Sequence, residues 1–136
     1  MDLKQVAKDT AKVLASYLTY QSVRIVVAQL SETNPALAIW LNDFSTKSRI
    51  QDGEAYIQEL LRENQDLGFR IMTVREYLAH DVTEYLPEMV STGIQQANME
   101  HRRQHLERIT QLNWSVSSSN PETSIDSEPN LDNLSS

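Results

Sequence analysis

The sequence predicts an all-α protein, a four-helix bundle whose last helix is long and bent. Three observations carry that expectation. Apolar residues recur at helical spacing through residues 3–31 and again through 67–112. Helix-start signals stand between the periodic segments, at Asn34-Pro35 and at Asp52. Three glycines and four prolines in 136 residues are too few for a protein built from many strands and turns. A chain of this length with 40% hydrophobic residues suffices for one domain.

The first helix is read from Leu3, Val6, Ala7, Thr10, Val13, Leu14, Tyr17, Leu18, Ile25 and Ala28, which share a face. From Ser16 onward a second row appears, Tyr20, Val23, Val27 and Leu30, and the apolar arc widens. A surface helix needs only one buried stripe, so the extra row must meet the rest of its own bundle, a partner chain, or both. Asn34 is placed as an N-cap with Pro35 at the first helical position, where a missing N–H costs nothing. Leu37, Ile39, Trp40, Leu41 and Phe44 make the second helix about three turns long. Residues 45–49 read as a polar connector. Asp52 then caps a third helix carrying Ala55, Tyr56, Ile57, Leu60 and Leu61. Ile50 falls in the connector, as a staple onto the third helix or as an exposed contact.

From Asp66 a face of Leu67, Ile71, Val74, Leu78, Val82, Tyr85 and Met89 runs on without a turn signal. Pro87 interrupts it, and a helix-interior proline removes a hydrogen bond and crowds the preceding turn. Since Ile94, Ala97, Leu106, Ile109 and Leu112 continue the face, a bend is expected rather than an end. Such a helix outruns three shorter neighbours, so part of it should protrude. Residues 95–105 within it are polar almost all round, either a solvated face with charge pairs or a docking surface. Residues 115–136 hold eight serines, four acids and no base. Too few apolar side chains stand there to offset an ordering entropy of about 1–2 kcal/mol per residue. The expected organisation is a helical domain over 1–114 and a disordered acidic, serine-rich tail over 115–136.

Composition excludes several functions. The net charge of −7 opposes binding to the nucleic-acid backbone or to anionic membranes, so neither is an expected partner. No run of about eighteen apolar residues exists to span a bilayer. The opening MDLKQVAKDTAK has no apolar core, so a secretory signal is not expected. With no cysteine, disulfides and thiolate chemistry are absent, which fits a reducing cytosol. His101 and His105 stand four apart on a helix, but no third ligand follows and no metal is expected. Phosphate-cradling glycine loops and nucleophile elbows are missing, and the carboxylates Asp52, Glu54, Glu59 and Glu63 read as a solvated helix face. No enzyme and no cofactor are predicted. Protein recognition remains, with Tyr17 and Tyr20 either as core tyrosines or as a surface that is sometimes covered.

The segments MDLKQVAKDTAK, SYLTYQSVR, ETNPALAIWL, IQDGEAY, RIMTVREYLA, YLPEMV and TGIQQANMEHRRQHLERITQL together resemble RbcX, the assembly chaperones of cyanobacterial Rubisco. The likeness covers roughly residues 1–112, in order. It implies an arc-shaped homodimer without enzymatic activity, whose partner is the Rubisco large subunit. A groove at the dimer centre would take the extended C-terminal peptide of one large subunit, with Tyr17, Tyr20 and Ile50 as its lining. Polar peripheral surfaces would grip a neighbouring copy through Gln29, Glu32, Arg70 and Arg102, leading to dimers and then the octameric core. Small subunits would displace the chaperone. The implied location is the cytoplasm, with the carboxysome as a further compartment. A generic helical adaptor for another extended peptide is the competing expectation.

Overall fold

The computed structural model describes residues 1–48 and 52–119, and four helices account for nearly all of them. They are α1 Leu3–Thr33, α2 Pro35–Lys47, α3 Gly53–Glu63 and α4 Gln65–Ser119. No strand occurs among the described residues. The chain divides into two compact units, Met1–Leu86 and Pro87–Ser136.

Asparagine makes both one-residue junctions. Asn34 donates its backbone N–H to the Leu30 carbonyl at 2.7 Å, closing α1. Its side-chain oxygen accepts from the Leu37 N–H at 3.3 Å, opening α2, with Pro35 at the first helical position as expected. Asn64 repeats the device between α3 and α4: its N–H reaches the Leu60 carbonyl at 2.7 Å and its side chain accepts from the Leu67 N–H at 3.1 Å. Each junction satisfies an orphan carbonyl and an orphan amide with one residue, which holds consecutive helices in a tight corner. Asp52 caps α3 by accepting from the Ala55 N–H at 3.3 Å, also as expected.

The core lies in the first unit. Val23, Val26 and Leu30 of α1 meet Ala38 and Leu41 of α2, Tyr56, Ile57 and Leu60 of α3, and Leu67 and Ile71 of α4. Tyr56 is the largest fully buried side chain and packs its ring at 5.7 Å from that of Phe44, which stacks in turn on Trp40 at 5.3 Å. Its hydroxyl lies 2.7 Å from the Ser45 hydroxyl. Ser45 gives its own proton to the Leu41 carbonyl at 2.7 Å, so Tyr56 is the donor in the pair. Burial pushes the Tyr56 phenol above its ordinary pKa, and the bond to Ser45 partly opposes that shift.

Four readings of the sequence change here. Ser45, assigned to a polar connector, is a buried residue of α2, because the Tyr56 hydroxyl needs a partner once its ring is in the core. The buried face of α1 includes the polar Thr19 and Ser22, whose hydroxyls donate to carbonyls one turn back and so need no water. Ala55 is exposed. Helix α4 continues through Pro87 without ending and extends to Ser119, five residues beyond the expected 114/115 boundary. Residues 120–136 lie outside the described residues.

Two close approaches set how the helices meet. A Cβ at Gly53 would sit 2.9 Å from Thr19 Oγ1 and 3.2 Å from the Ser16 Cα, so α3 begins against the backbone of α1. The Gly53 N–H donates there to Ser16 Oγ at 3.2 Å. Arg75 of α4 ties the same corner together. Its guanidinium donates to both Glu54 carboxylate oxygens, at 2.8 and 2.9 Å, and to Thr19 Oγ1 at 3.1 Å.

Candidate functional site

The row Tyr17, Tyr20, Arg24, Val27 and Ala28 recurs at helical spacing along one face of α1, facing α2 across a groove of about 760 Å³. Val23 and Ser45, both buried, belong to its floor. Asn42, Thr46 and Ser48 form the opposite wall. Tyr17 and Tyr20 remain 57% and 43% exposed. These are not core tyrosines. The Arg24 guanidinium lies 5.9 Å from the Tyr20 ring centroid, within cation–π range, which restrains both side chains. The resulting surface is mostly apolar, with aromatic rings at its edge and a polar α2 wall.

Of the three residues expected in the groove, Tyr17 and Tyr20 stand on it together. Ile50 lies outside the described residues. Sequence reasoning missed Arg24 and the α2 wall. Arg24 follows Tyr17 and Tyr20 at the spacing i, i+3, i+7, so the helical row itself was a signal for it. The opposite wall had none, since Thr46 and Ser48 fell within the stretch read as a polar connector.

Among the expected peripheral residues, Gln29 of α1 and Arg70 of α4 are brought together. Arg70 Nη2 donates to the Gln29 Oε1 at 2.6 Å. Glu32 follows Gln29 by three residues on the same helix and is exposed. Arg102 belongs to the second unit and is exposed. In the polar stretch around it, Arg103 pairs with both Glu100 and Glu107, so the charge-pair expectation is realised there. The Arg103 guanidinium holds the Glu100 carboxyl below the usual carboxylate range. No group of three or more His, Asp or Glu side chains among the described residues is placed to hold a metal. No described helix is long and apolar enough to cross a membrane.

A helical scaffold that presents aromatic rings along an open groove, with polar side chains held on another face, defines a protein of the binding class. The comparisons make the family definite. The family model described as RbcX protein matches residues 1–111. A protein of Anabaena sp. named RuBisCO chaperone RbcX is 62% identical over 136 residues, all of both chains. One of the same name from Nostoc sp. is 64% identical over 123 residues, 90% of this chain and 91% of the relative. A crystal structure of RbcX in complex with substrate superposes with a TM-score of 0.75 at 55% identity, covering 81% of this chain and 99% of that one. The chain belongs to the RbcX family. Its role is that of a chaperone, not of an enzyme.

Proposed function

We propose that the protein assembles Rubisco by holding two large subunits at once. Two copies of the chain form a homodimer whose central groove, walled by Tyr17, Tyr20 and Ile50, takes the extended C-terminal peptide of one large subunit. Gln29, Glu32, Arg70 and Arg102 at the periphery grip a neighbouring large subunit. Dimers and then the octameric core result, and small subunits displace the chaperone. It acts in the cytoplasm, with the carboxysome as a further destination.

The single observation that carries this reading is the pair of exposed tyrosines on the rim of a mostly apolar groove. In an extended peptide, alternate side chains point the same way about 6–7 Å apart, so two aromatic residues can seat against the tyrosines while those between face water. Burying about 150–250 Å² per ring gives several kcal/mol gross at about 25 cal/mol per Å². Ordering the peptide cancels much of that, which leaves a micromolar, reversible contact.

Exposed apolar residues support the second copy. Leu3, Val6 and Val13 of α1 have large exposed surfaces, as have Ile94, Met99, Leu106 and Leu112 of α4. Apolar exposure on that scale marks an interaction surface. One weak contact in the groove and another at the edge raise the effective concentration of each large subunit for the other. Release then needs no ATP, because a subunit that stabilises the chaperone-free arrangement shifts the populations.

Native mass spectrometry of the purified protein, alone and with the C-terminal peptide of a Rubisco large subunit, tests the proposal. A dimer that takes up one peptide is expected. A monomer that ignores the peptide overturns it, and a dimer that prefers unrelated extended peptides points instead to a generic adaptor.

A further inference from the structure

Arg75 of α4 joins three helices. Its guanidinium donates to both carboxylate oxygens of Glu54 on α3, at 2.8 and 2.9 Å, and to Thr19 Oγ1 on α1 at 3.1 Å. Thr19 gives its own proton to the Ala15 carbonyl at 2.8 Å, so its oxygen can accept. A planar fork on a carboxylate fixes direction as well as distance. What the fork holds is the start of α3. Directly before Glu54, the Gly53 N–H donates to Ser16 Oγ at 3.2 Å, with no room for a Cβ. Ser16 precedes Tyr17 and lines two hollows. One is the groove, and the other is a recess of about 690 Å³ that also touches Lys8, Lys12, Asp52 and Glu54. Seated on Ser16, the first turn of α3 therefore stands where the two hollows meet, at the Tyr17 end of the groove. The core does not need this clasp, because Tyr56, Ile57 and Leu60 anchor α3 from its second turn onward. Without the clasp the first turn is free to fray.

We infer that Arg75 is a positioning residue for peptide capture: by clasping Glu54 to Thr19 it keeps the first turn of α3 on Ser16, and so holds the Tyr17 end of the groove in its binding shape. This rests on the groove reading above and deepens it. Arg75 does not touch the peptide. A wall already in place costs no ordering when the peptide arrives. A frayed wall must first be re-formed, and the apparent affinity then falls in proportion to the fraction of molecules in which the turn is seated.

The test uses the full chain and the C-terminal peptide of a Rubisco large subunit, titrated by calorimetry well below the melting temperature. Arg75→Gln and Glu54→Gln should each weaken binding about fivefold. The double variant should do no more than either, since one clasp is lost in all three. Arg75→Lys, which keeps the charge without the fork, should fall between parent and Arg75→Gln. In Arg75→Gln and Glu54→Gln the Gly53 amide should exchange hydrogen faster than in the parent. Leu67→Ala is the control for stability alone. It removes a buried side chain at the start of α4, and should lower the melting temperature with the affinity unchanged. Parental affinity in Arg75→Gln, unchanged exchange at Gly53, or losses that add in full would overturn the assignment while leaving the groove intact. A loss in Leu67→Ala equal to that in Arg75→Gln would overturn it as well. Failure of the parent chain to bind the peptide would instead remove the groove reading itself. The Glu54 side chain is 64% exposed, so Glu54→Gln stays folded and carries the test even where Arg75 cannot be replaced.

Discussion

The Arg70 guanidinium and the Gln29 amide, 41 positions apart in the chain, are joined by a hydrogen bond of 2.6 Å that links α4 to α1. Both were expected to touch a large subunit, and in the free protein each orients the other. A donor fork held in place loses less entropy when a second acceptor arrives.

Gln29→Ala and Arg70→Ala should therefore each lower the yield of octameric core on a native gel while leaving binding of the C-terminal peptide unchanged. The double variant should do little more harm than either single one, because one arrangement is lost in all three. Losses that add in full would show that the two residues act separately. Since the bond is exposed, thermal stability should change by less than about 1 kcal/mol.

Tyr20→Ala should remove most of the calorimetric signal for the large-subunit peptide while the chain stays folded. The ring is 43% exposed and lies outside the core, so truncation leaves no large cavity. A ring contact of several kcal/mol gross corresponds to at least a tenfold loss of affinity. Unchanged binding would refute the groove.

Two groups set pH limits on stability in opposite directions. The Tyr56 phenol is raised above its ordinary value of 10.0, so its contribution is complete below that pH and is lost as pH rises beyond it. Tyr56→Phe should cost about 1 kcal/mol at neutral pH, for the bond to Ser45, and should blunt the alkaline loss. The Glu54 carboxyl is lowered, first by its hydrogen bonds to Arg75, so its contribution is present above its ordinary value of 4.5 and fades as pH falls. Glu54→Gln should flatten the acid limb of a urea-melt series run downward from the ordinary carboxyl value of 4.5.

Glycine-to-alanine changes should diverge in sign. At Gly53 the added methyl meets the Ser16 Cα at 3.2 Å, and backbone cannot step aside cheaply, so a loss of about 1–3 kcal/mol is expected. At Gly93 nothing lies within 4 Å, and removing a flexible residue from a helix should gain up to about 1 kcal/mol. Chemical denaturation followed by circular dichroism reads both. A neutral Gly53→Ala would mean that the α1–α3 corner is looser than its distances indicate.

The order of elements was legible along the chain because caps and helical periodicity are local. Asn34 and Asp52 start their helices where they were expected to, since a side chain two or three residues from an orphan amide needs no tertiary help. Asn64 does the same job and was overlooked, hidden between two charged residues and a glutamine. The tyrosines of the groove were visible as a row on α1, and the peripheral residues only through the resemblance to RbcX.

By itself, then, the sequence determined an all-helical, cysteine-free, acidic protein, the caps of α2 and α3, and a tyrosine-bearing row too wide for one buried stripe. Tertiary structure alone decided which side of that row is covered. Thr19 and Ser22 go inside because each hydroxyl is satisfied within its own helix, and Ser45 goes inside because Tyr56 brings a phenol that must be satisfied. Arg24 acquires its place from the ring beside it, and Arg75 and Arg70 find partners on other helices. Those choices depend on contacts between residues far apart in the chain, which no local pattern encodes.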